Sequence, residues 1–342
     1  MKKVLFVTNF CAEKKKARLL YEIKLLEEVG YDVEVEYFEG DSTFFESLLT
    51  YASLKFFNFH QIFVVKRRAR QFDHVVIYGM QLLPSVLWVP RSKMIYQTLD
   101  DNVSYTLYEL GSRFAPFKWV SRPLDFLFRQ IEKSISKKAD FLLVNSKALF
   151  EYLPNAILNY YTSPFEGLKL NYQEEKPFVL LYLGQLRKEK GTLHLKELAE
   201  RYSLDVHVFG ISVDTDTDDF IKNDYVKFHG NKSISELKTE LPKLSQEVNL
   251  IGVSLIESVH HSYATQEANK DIDYMAMGIP FVGNDRLPTK VKIDLGCGYP
   301  LNQFDKLLNF KKYKQASDKA LEVYMKDFSN EKFERTFLNC FK

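Results

Sequence analysis

The stretch Glu267-Ala-Asn-Lys-Asp-Ile-Asp-Tyr-Met-Ala-Met-Gly-Ile-Pro-Phe-Val-Gly-Asn-Asp285 leaves its nineteen residues little choice of structure. Its first half fits a short polar helix. Gly278 stands where a left-handed C-terminal cap belongs, and Pro280 follows where a helix cannot resume. Phe281 and Val282 then read as a buried strand. A helix that stops this sharply and feeds an apolar strand is half of an αβ unit.

The rest of the chain repeats that grammar. Residues 4–8 form an apolar run that fits a buried parallel strand. Residues 14–29 carry Leu19, Leu20, Ile23, Leu26 and Val29 at helical spacing, Gly30 caps them, and 31–38 alternate as a second strand. This βαβ opening predicts a doubly wound parallel sheet. Further strands are expected at 74–78, 94–97 and 141–144. Near 160–176 the pattern breaks into Thr-Ser-Pro, Glu-Gly and Gln-Glu-Glu-Lys-Pro, which reads as an interdomain linker. A second series follows, with strands at 178–183, 205–209, 226–229, 249–255 and 281–283 and helices at 192–202, 233–244 and 269–277. The tail, 318–341, looks helical. A chain of 342 residues accommodates two domains. The expected division is 1–165, 166–325 and a last helix, 326–342, that crosses back to the first domain.

Composition excludes several classes. Lys+Arg 47 against Asp+Glu 45 leaves no net basic footprint for nucleic acid. The three cysteines, Cys11, Cys297 and Cys340, have no metal-ligand spacing and fit a reducing compartment. The N-terminus reads as a strand rather than a signal peptide, and no run is long enough to span a bilayer. The expectation is a cytoplasmic protein.

Three constellations carry chemistry. In the first, Lys270 and Asp273 lie three apart and share one helix face. At a sheet edge such a pair suits a sugar nucleotide, with the cation on phosphates and the carboxylate on hydroxyls. A solvated helix face is the plainer alternative. The second is Leu183-Gly-Gln-Leu-Arg-Lys-Glu-Lys-Gly191, where a strand ends at Gly184 and a helix begins just after Gly191. Glycine lets backbone approach a ligand, a helix N-terminus attracts phosphate, and Arg187 and Lys190 add charge. The competing reading is a solvated lysine-rich turn. The third is Tyr96-Gln-Thr-Leu-Asp-Asp-Asn102. Adjacent carboxylates repel, so Asp100 or Asp101 would hold its proton more tightly and could serve as a general base. An Asp-Asn turn or helix cap is the alternative.

Two signals are weaker. Asp214-Thr-Asp-Thr-Asp-Asp219 begins like a calcium loop but lacks its glycine and closing glutamate, so a solvated turn is expected. His260-His261 has no partner spacing for a metal.

The 267–285 stretch resembles the C-terminal signature of GT-B glycosyltransferases of family 4, roughly Pro-x-Lys-x-x-Glu-Tyr-Met-Ala-x-Gly-x-Pro-Val. Lys270, Tyr274, Met275, Ala276, Gly278 and Pro280 match. Asp273 stands for the usual Glu, Ala268 for a frequent Pro, and Thr265 for an earlier Glu that Glu267, two residues on, could replace. The 183–191 loop resembles Gly-Arg-x-x-x-x-Lys-Gly. Lys190 and Gly191 match, Gln185 replaces the Arg, and Arg187 is its candidate substitute. Glu132 and the Ala-Asp…Ser run ending at Ser146 match a further family pattern.

The resemblance implies an α/β protein of GT-B fold, two Rossmann-like domains facing each other across a cleft. It implies a metal-independent enzyme with no cofactor, moving a sugar from UDP or GDP to a hydroxyl of a glycan or lipid-linked acceptor, as in surface polysaccharide synthesis. The implied donor residues are Gly184, Arg187, Lys190, Gly191, Glu267, Asn269, Lys270 and Asp273, and the implied catalytic residues are Asp100 and Asp101. An epimerase of the same fold and a non-catalytic binding protein are the competing functions. Separately, Phe56-Phe-Asn-Phe-His-Gln-Ile-Phe before Lys66-Arg-Arg-Ala-Arg70, the 113–122 stretch and Phe126-Leu-Phe-Arg129 mix bases with large apolar groups. That mixture suits peripheral contact with the inner face of a membrane. Core-facing aromatics with snorkelling bases would look the same.

Overall fold

The computed structural model describes residues 1–8, 17–37, 65–79, 89, 94–99, 117–257 and 265–342. The chain divides into two compact units. The first comprises Met1–Tyr160, His260–Gln266 and Phe333–Lys342, and the second Tyr161–Val259 and Glu267–Lys332.

The first unit is built on a six-stranded parallel sheet in the order β2-β1-β3-β4-β5-β6. Its strands are β1 Lys3–Thr8, β2 Asp32–Tyr37, β3 His74–Tyr78, β4 Met94–Thr98, β5 Phe141–Val144 and β6 Ala156–Leu158. Helices α1 (Ala17–Glu28), α2 (Phe117–Ser136) and α3 (Lys147–Tyr152) accompany them. Both faces of the sheet are covered, which is why its strands read as near-continuous apolar runs. Leu5 and Val7 point to one core, while Val4 and Phe6 point to the other. The second core is completed from far along the chain. Phe333, Phe337, Cys340 and Phe341 pack there beside Leu19 and Leu26, and the Tyr31 hydroxyl donates to the Phe341 carbonyl at 2.8 Å.

The second unit has a six-stranded parallel sheet in the order β12-β11-β10-β7-β8-β9. Its strands are β7 Phe178–Leu183, β8 Val206–Phe209, β9 Val226–Phe228, β10 Asn249–Ser254, β11 Phe281–Gly283 and β12 Gly298–Pro300. Its helices are α4 (Thr192–Tyr202), α5 (Thr215–Phe220), α6 (Ile234–Glu247), α7 (Asn269–Ala276), α8 (Leu287–Asp294) and α9 (Phe310–Asp327). A further helix, α10 (Asn330–Leu338), leads the chain back to the first unit.

Gly278 ends α7 as its sequence predicts. At φ 65° it lets Ile279 N–H reach the Tyr274 carbonyl at 2.8 Å, closing the helix before β11. The 214–219 segment departs from expectation. Instead of a turn it forms α5, because Asp214 accepts from Thr217 N–H and Thr217 returns the bond in a capping box. Among the described residues no group of His, Cys, Asp and Glu could hold a metal ion, and no helix is long and apolar enough to cross a membrane.

Candidate functional site

The site lies in the second unit, at the carboxyl ends of its central strands, the edge at which open α/β sheets bind ligands. Strand β7 ends at Leu183. Gly184 follows, and a loop leads to a short 3₁₀ turn, Lys188–Lys190. The Tyr182 hydroxyl donates to the Gln185 carbonyl at 2.9 Å, and Thr192 Oγ1 donates to the Arg187 carbonyl at 2.9 Å. Both bonds fix the basic loop. Gly191 then opens α4 in the left-handed region, with φ 84°. A Cβ at this position would sit 2.1 Å from the Leu255 carbonyl oxygen, so only glycine lets the head of α4 abut the end of β10. Among the described residues no side chain caps α4, and none caps α7, whose N-cap is Ala268.

Helix α7 is pinned across the sheet by Tyr274. Its hydroxyl donates to the Leu181 carbonyl at 2.9 Å and accepts from Leu183 N–H at 3.3 Å. One turn earlier, Lys270 consequently lies over the Tyr182 ring, with Nζ 4.2 Å from its centroid. That Nζ is enclosed and has no hydrogen-bond partner among the described residues. Burial lowers the amine to about 7, Asp271 pulls it back up, and Lys190 and Arg286 press it further down. Lys190 is lowered by its own burial and by Arg187, against an opposing pull from Glu189. The Arg187 Nε is also buried with no hydrogen-bond partner among the described residues, and its guanidinium stands 3.8 Å from Glu189. Arg187, Lys190 and Lys270, from two separate segments, therefore form one cluster of cations, in which Arg187 Nε and Lys270 Nζ have no hydrogen-bond partner among the described residues.

Asp273 lies on the same helix and is half-buried. Ser163 Oγ donates to its Oδ1 at 2.8 Å and accepts from Phe165 N–H at 3.1 Å. Burial raises this carboxyl to about 7, the Ser163 bond works against the rise, and Asp271 adds to it. Asn269 is exposed at the first position of α7.

Glu267 sits differently. Its carboxylate is buried in an ion pair with Lys292. Next to it Asp271 accepts from Ser254 and from Thr289, the latter at 2.8 Å, and stands 3.9 Å from Arg286 and 3.7 Å from Lys292. This buried network of two acids and two bases ties the start of α7 to β10 and α8. Asp100, Asp101 and the His260-His261 pair lie outside the described residues.

Sequence reasoning passed over Tyr182, Ser163 and Asp271. Tyr182 left one trace: a tyrosine in an otherwise apolar strand needs a partner for its hydroxyl. Nothing local marks the other two.

Comparison with solved structures assigns the architecture. The chain is similar to MurG of Acinetobacter baumannii, with TM-score 0.56 and 15% identity over 94% of this chain and 95% of that one. It is similar to AviGT4, a glycosyltransferase involved in avilamycin A biosynthesis, with TM-score 0.58 and 12% identity over 100% and 97%. It is also similar to an E. coli trehalose-6-phosphate structure bound with UDP-2-fluoro glucose, with TM-score 0.64 and 8% identity over 99% and 98%. The fold is that of the GT-B glycosyltransferases. No family model matches the chain, and neither does any curated protein sequence. Identities this low carry the fold alone.

Proposed function

We propose that the chain is a glycosyltransferase that moves a sugar from a nucleoside diphosphate to a hydroxyl of a glycan or lipid-linked glycan. The observation that carries this reading is the cation cluster. Two of its donors, Lys270 Nζ and Arg187 Nε, are enclosed and unbonded among the described residues, and it stands beside two helix heads that no described side chain caps. Buried donors left unpaired cost stability, and a diphosphate satisfies both the charge and the N–H groups.

In this reading Lys190, Arg187 and Lys270 neutralise the charge that grows on the leaving diphosphate, supplied by fixed cations and helix dipoles. Gly184 and Gly191 let the backbone approach it. Asp273 accepts from ribose hydroxyls through its second oxygen while Ser163 holds the first. Asn269 contributes at the exposed head of α7. Glu267 acts through Lys292 and the buried network rather than on the donor directly. Asp100 or Asp101 orients or deprotonates the acceptor hydroxyl. The donor is read as a UDP- or GDP-sugar, and surface polysaccharide is the acceptor class that suits the resemblance.

The membrane reading draws on α2. Phe126 is 67% exposed and Leu127 50%, with Lys137 and Lys138 exposed beyond them. Exposed large apolar groups on a helix followed by exposed lysines fit an anionic lipid surface.

Calorimetric titration with UDP and GDP tests the donor reading. Binding by one of them, weakened far more for the diphosphate than for the nucleoside by Lys190→Ala, is expected. Absence of binding by any nucleoside diphosphate would sink it.

A further inference from the structure

The first unit holds a buried polar cluster of its own. Glu22, on α1, is wholly enclosed. Its Oε1 accepts from Arg18 Nε and from Gln97 Nε2, each at 2.9 Å, and its Oε2 accepts from the Tyr78 hydroxyl at 2.5 Å. Arg18 Nη1 reaches on to the Asn159 carbonyl at 3.2 Å.

The cluster gathers at the carboxyl ends of the strands, the edge at which open α/β sheets bind ligands. Tyr78 and Gln97 are paired in register between β3 and β4. Asn145 and Asn159 follow directly on β5 and β6, and Asn159 N–H donates to the Val144 carbonyl at 2.7 Å. Strand alternation sends Ile95, Leu143 and Ile157 into the core that α1 covers. Gln97, Asn145 and Asn159 each stand one alternation further along, on that same face.

Four polar atoms here have no hydrogen-bond partner among the described residues: Arg18 Nη2, Gln97 Oε1, Asn145 Oδ1 and Asn159 Nδ2. The residues that carry them are 6%, 0%, 7% and 2% exposed. Enclosed polar atoms without partners cost stability. Gln97 cannot relieve its own by turning the amide round, because its N–H end must face the Glu22 carboxylate.

Chemistry narrows the partner. Glu22 neutralises Arg18 in a buried ion pair at 2.9 Å, so the cluster offers an anion no net charge. A cation would meet the guanidinium. Two of the open atoms donate and two accept, so the occupant must do both. A hydroxyl does both through one oxygen.

Building on the glycosyl-transfer reading, we propose that Arg18, Gln97, Asn145 and Asn159 bind a neutral sugar, the terminal unit of the acceptor, whose hydroxyls complete these unmet hydrogen bonds. Glu22 and Tyr78 are positioning residues that hold Arg18 and Gln97 in place. No covalent bond changes at this site.

NMR of the whole chain with the methyl glycosides of glucose, galactose, mannose, rhamnose and N-acetylglucosamine tests the proposal. At least one glycoside should shift the side-chain amide signals of Asn145 and Asn159. Asn145→Leu and Asn159→Leu each remove one open atom, and each should weaken that glycoside about tenfold. Their denaturation midpoints without ligand should hold or rise, since an unpaired buried group is gone. Their UDP and GDP affinities should match the parent's. No shift with any glycoside, or undiminished binding in both variants, would overturn the inference. So would two destabilised variants and no bound glycoside, which would assign the cluster to ordered water only. Nucleotide binding alongside any of these failures leaves the donor reading intact. Glycoside binding with no nucleotide binding would keep the sugar site and remove the glycosyl-transfer reading.

Discussion

Ser163 Oγ donates to Asp273 Oδ1 at 2.8 Å across 110 residues of sequence, so one oxygen of the carboxylate proposed to meet ribose is engaged before any ligand arrives. The bond does two jobs. It orients the group, and it offsets part of the burial that raises its pKa.

Replacing Ser163 by Ala should therefore weaken nucleoside and nucleoside diphosphate alike. The expected loss is about three- to tenfold, the worth of roughly 1 kcal/mol for one hydrogen bond. Titration with uridine or guanosine beside the diphosphate checks this. A loss confined to the diphosphate would contradict the assignment of Asp273 to ribose.

The Glu267–Lys292 pair makes a different prediction. Both side chains are buried, and their neighbours are charged. Glu267→Ala would leave Lys292 buried with Asp271, 3.7 Å away, as its remaining acidic neighbour, at a cost of about 3 kcal/mol. Changing Glu267 and Lys292 together to apolar residues of similar size should recover much of that loss. Denaturant unfolding of the two variants decides between a buried pair and a carboxylate that faces the donor. In the latter case Glu267→Ala would lower nucleotide affinity without lowering stability.

Acid should loosen the second unit through His207. This ring is buried, meets His229 Nε2 through Nδ1 at 3.0 Å, and is lowered to about 4 by burial, with His229 and Lys227 adding to the effect. His229 is lowered as well and stacks on Phe209 at 4.1 Å. A base whose folded pKa is depressed binds fewer protons folded than unfolded. Its contribution is present above the unfolded value near 6.5 and is lost as pH falls toward 4. Melting temperature should drop across that window, and His207→Leu should flatten the drop. An equally steep fall in the variant would assign the acid sensitivity elsewhere.

Vesicle flotation addresses α2. The protein should float with anionic phosphatidylserine or phosphatidylglycerol vesicles at low salt and stay down with neutral ones. Phe126→Ala with Leu127→Ala should abolish flotation without changing UDP or GDP affinity. Equal behaviour with neutral lipid, or no effect of the double substitution, would retire the membrane reading.

The fold was largely legible because its signals are local. The apolar run of β1, the alternation of β2, the leucine spacing of α1 and the glycine stop at Gly278 each report on neighbours a few residues away. The 214–219 run misled for a related reason: its aspartates look like a polar turn, yet the same Asp214 that suits a turn also caps a helix. In the candidate site, the sequence shows that Lys270 and Asp273 share a helix face. It does not show what each will meet. Tyr182 comes from β7, Ser163 from a loop and the partners of Asp271 from β10 and α8, and periodicity records that a position is buried without naming its neighbour.

Residues 333–341 carry one more consequence. Their aromatic side chains fill a core whose other walls, Val4, Phe6, Leu19 and Leu26, are made some three hundred residues earlier. On the ribosome those early walls must wait, greasy and uncovered, while the whole second unit is synthesised, for up to about a minute at bacterial-like elongation rates. The first half to be made should thus be the last to mature, its core closing only once Phe341 has emerged.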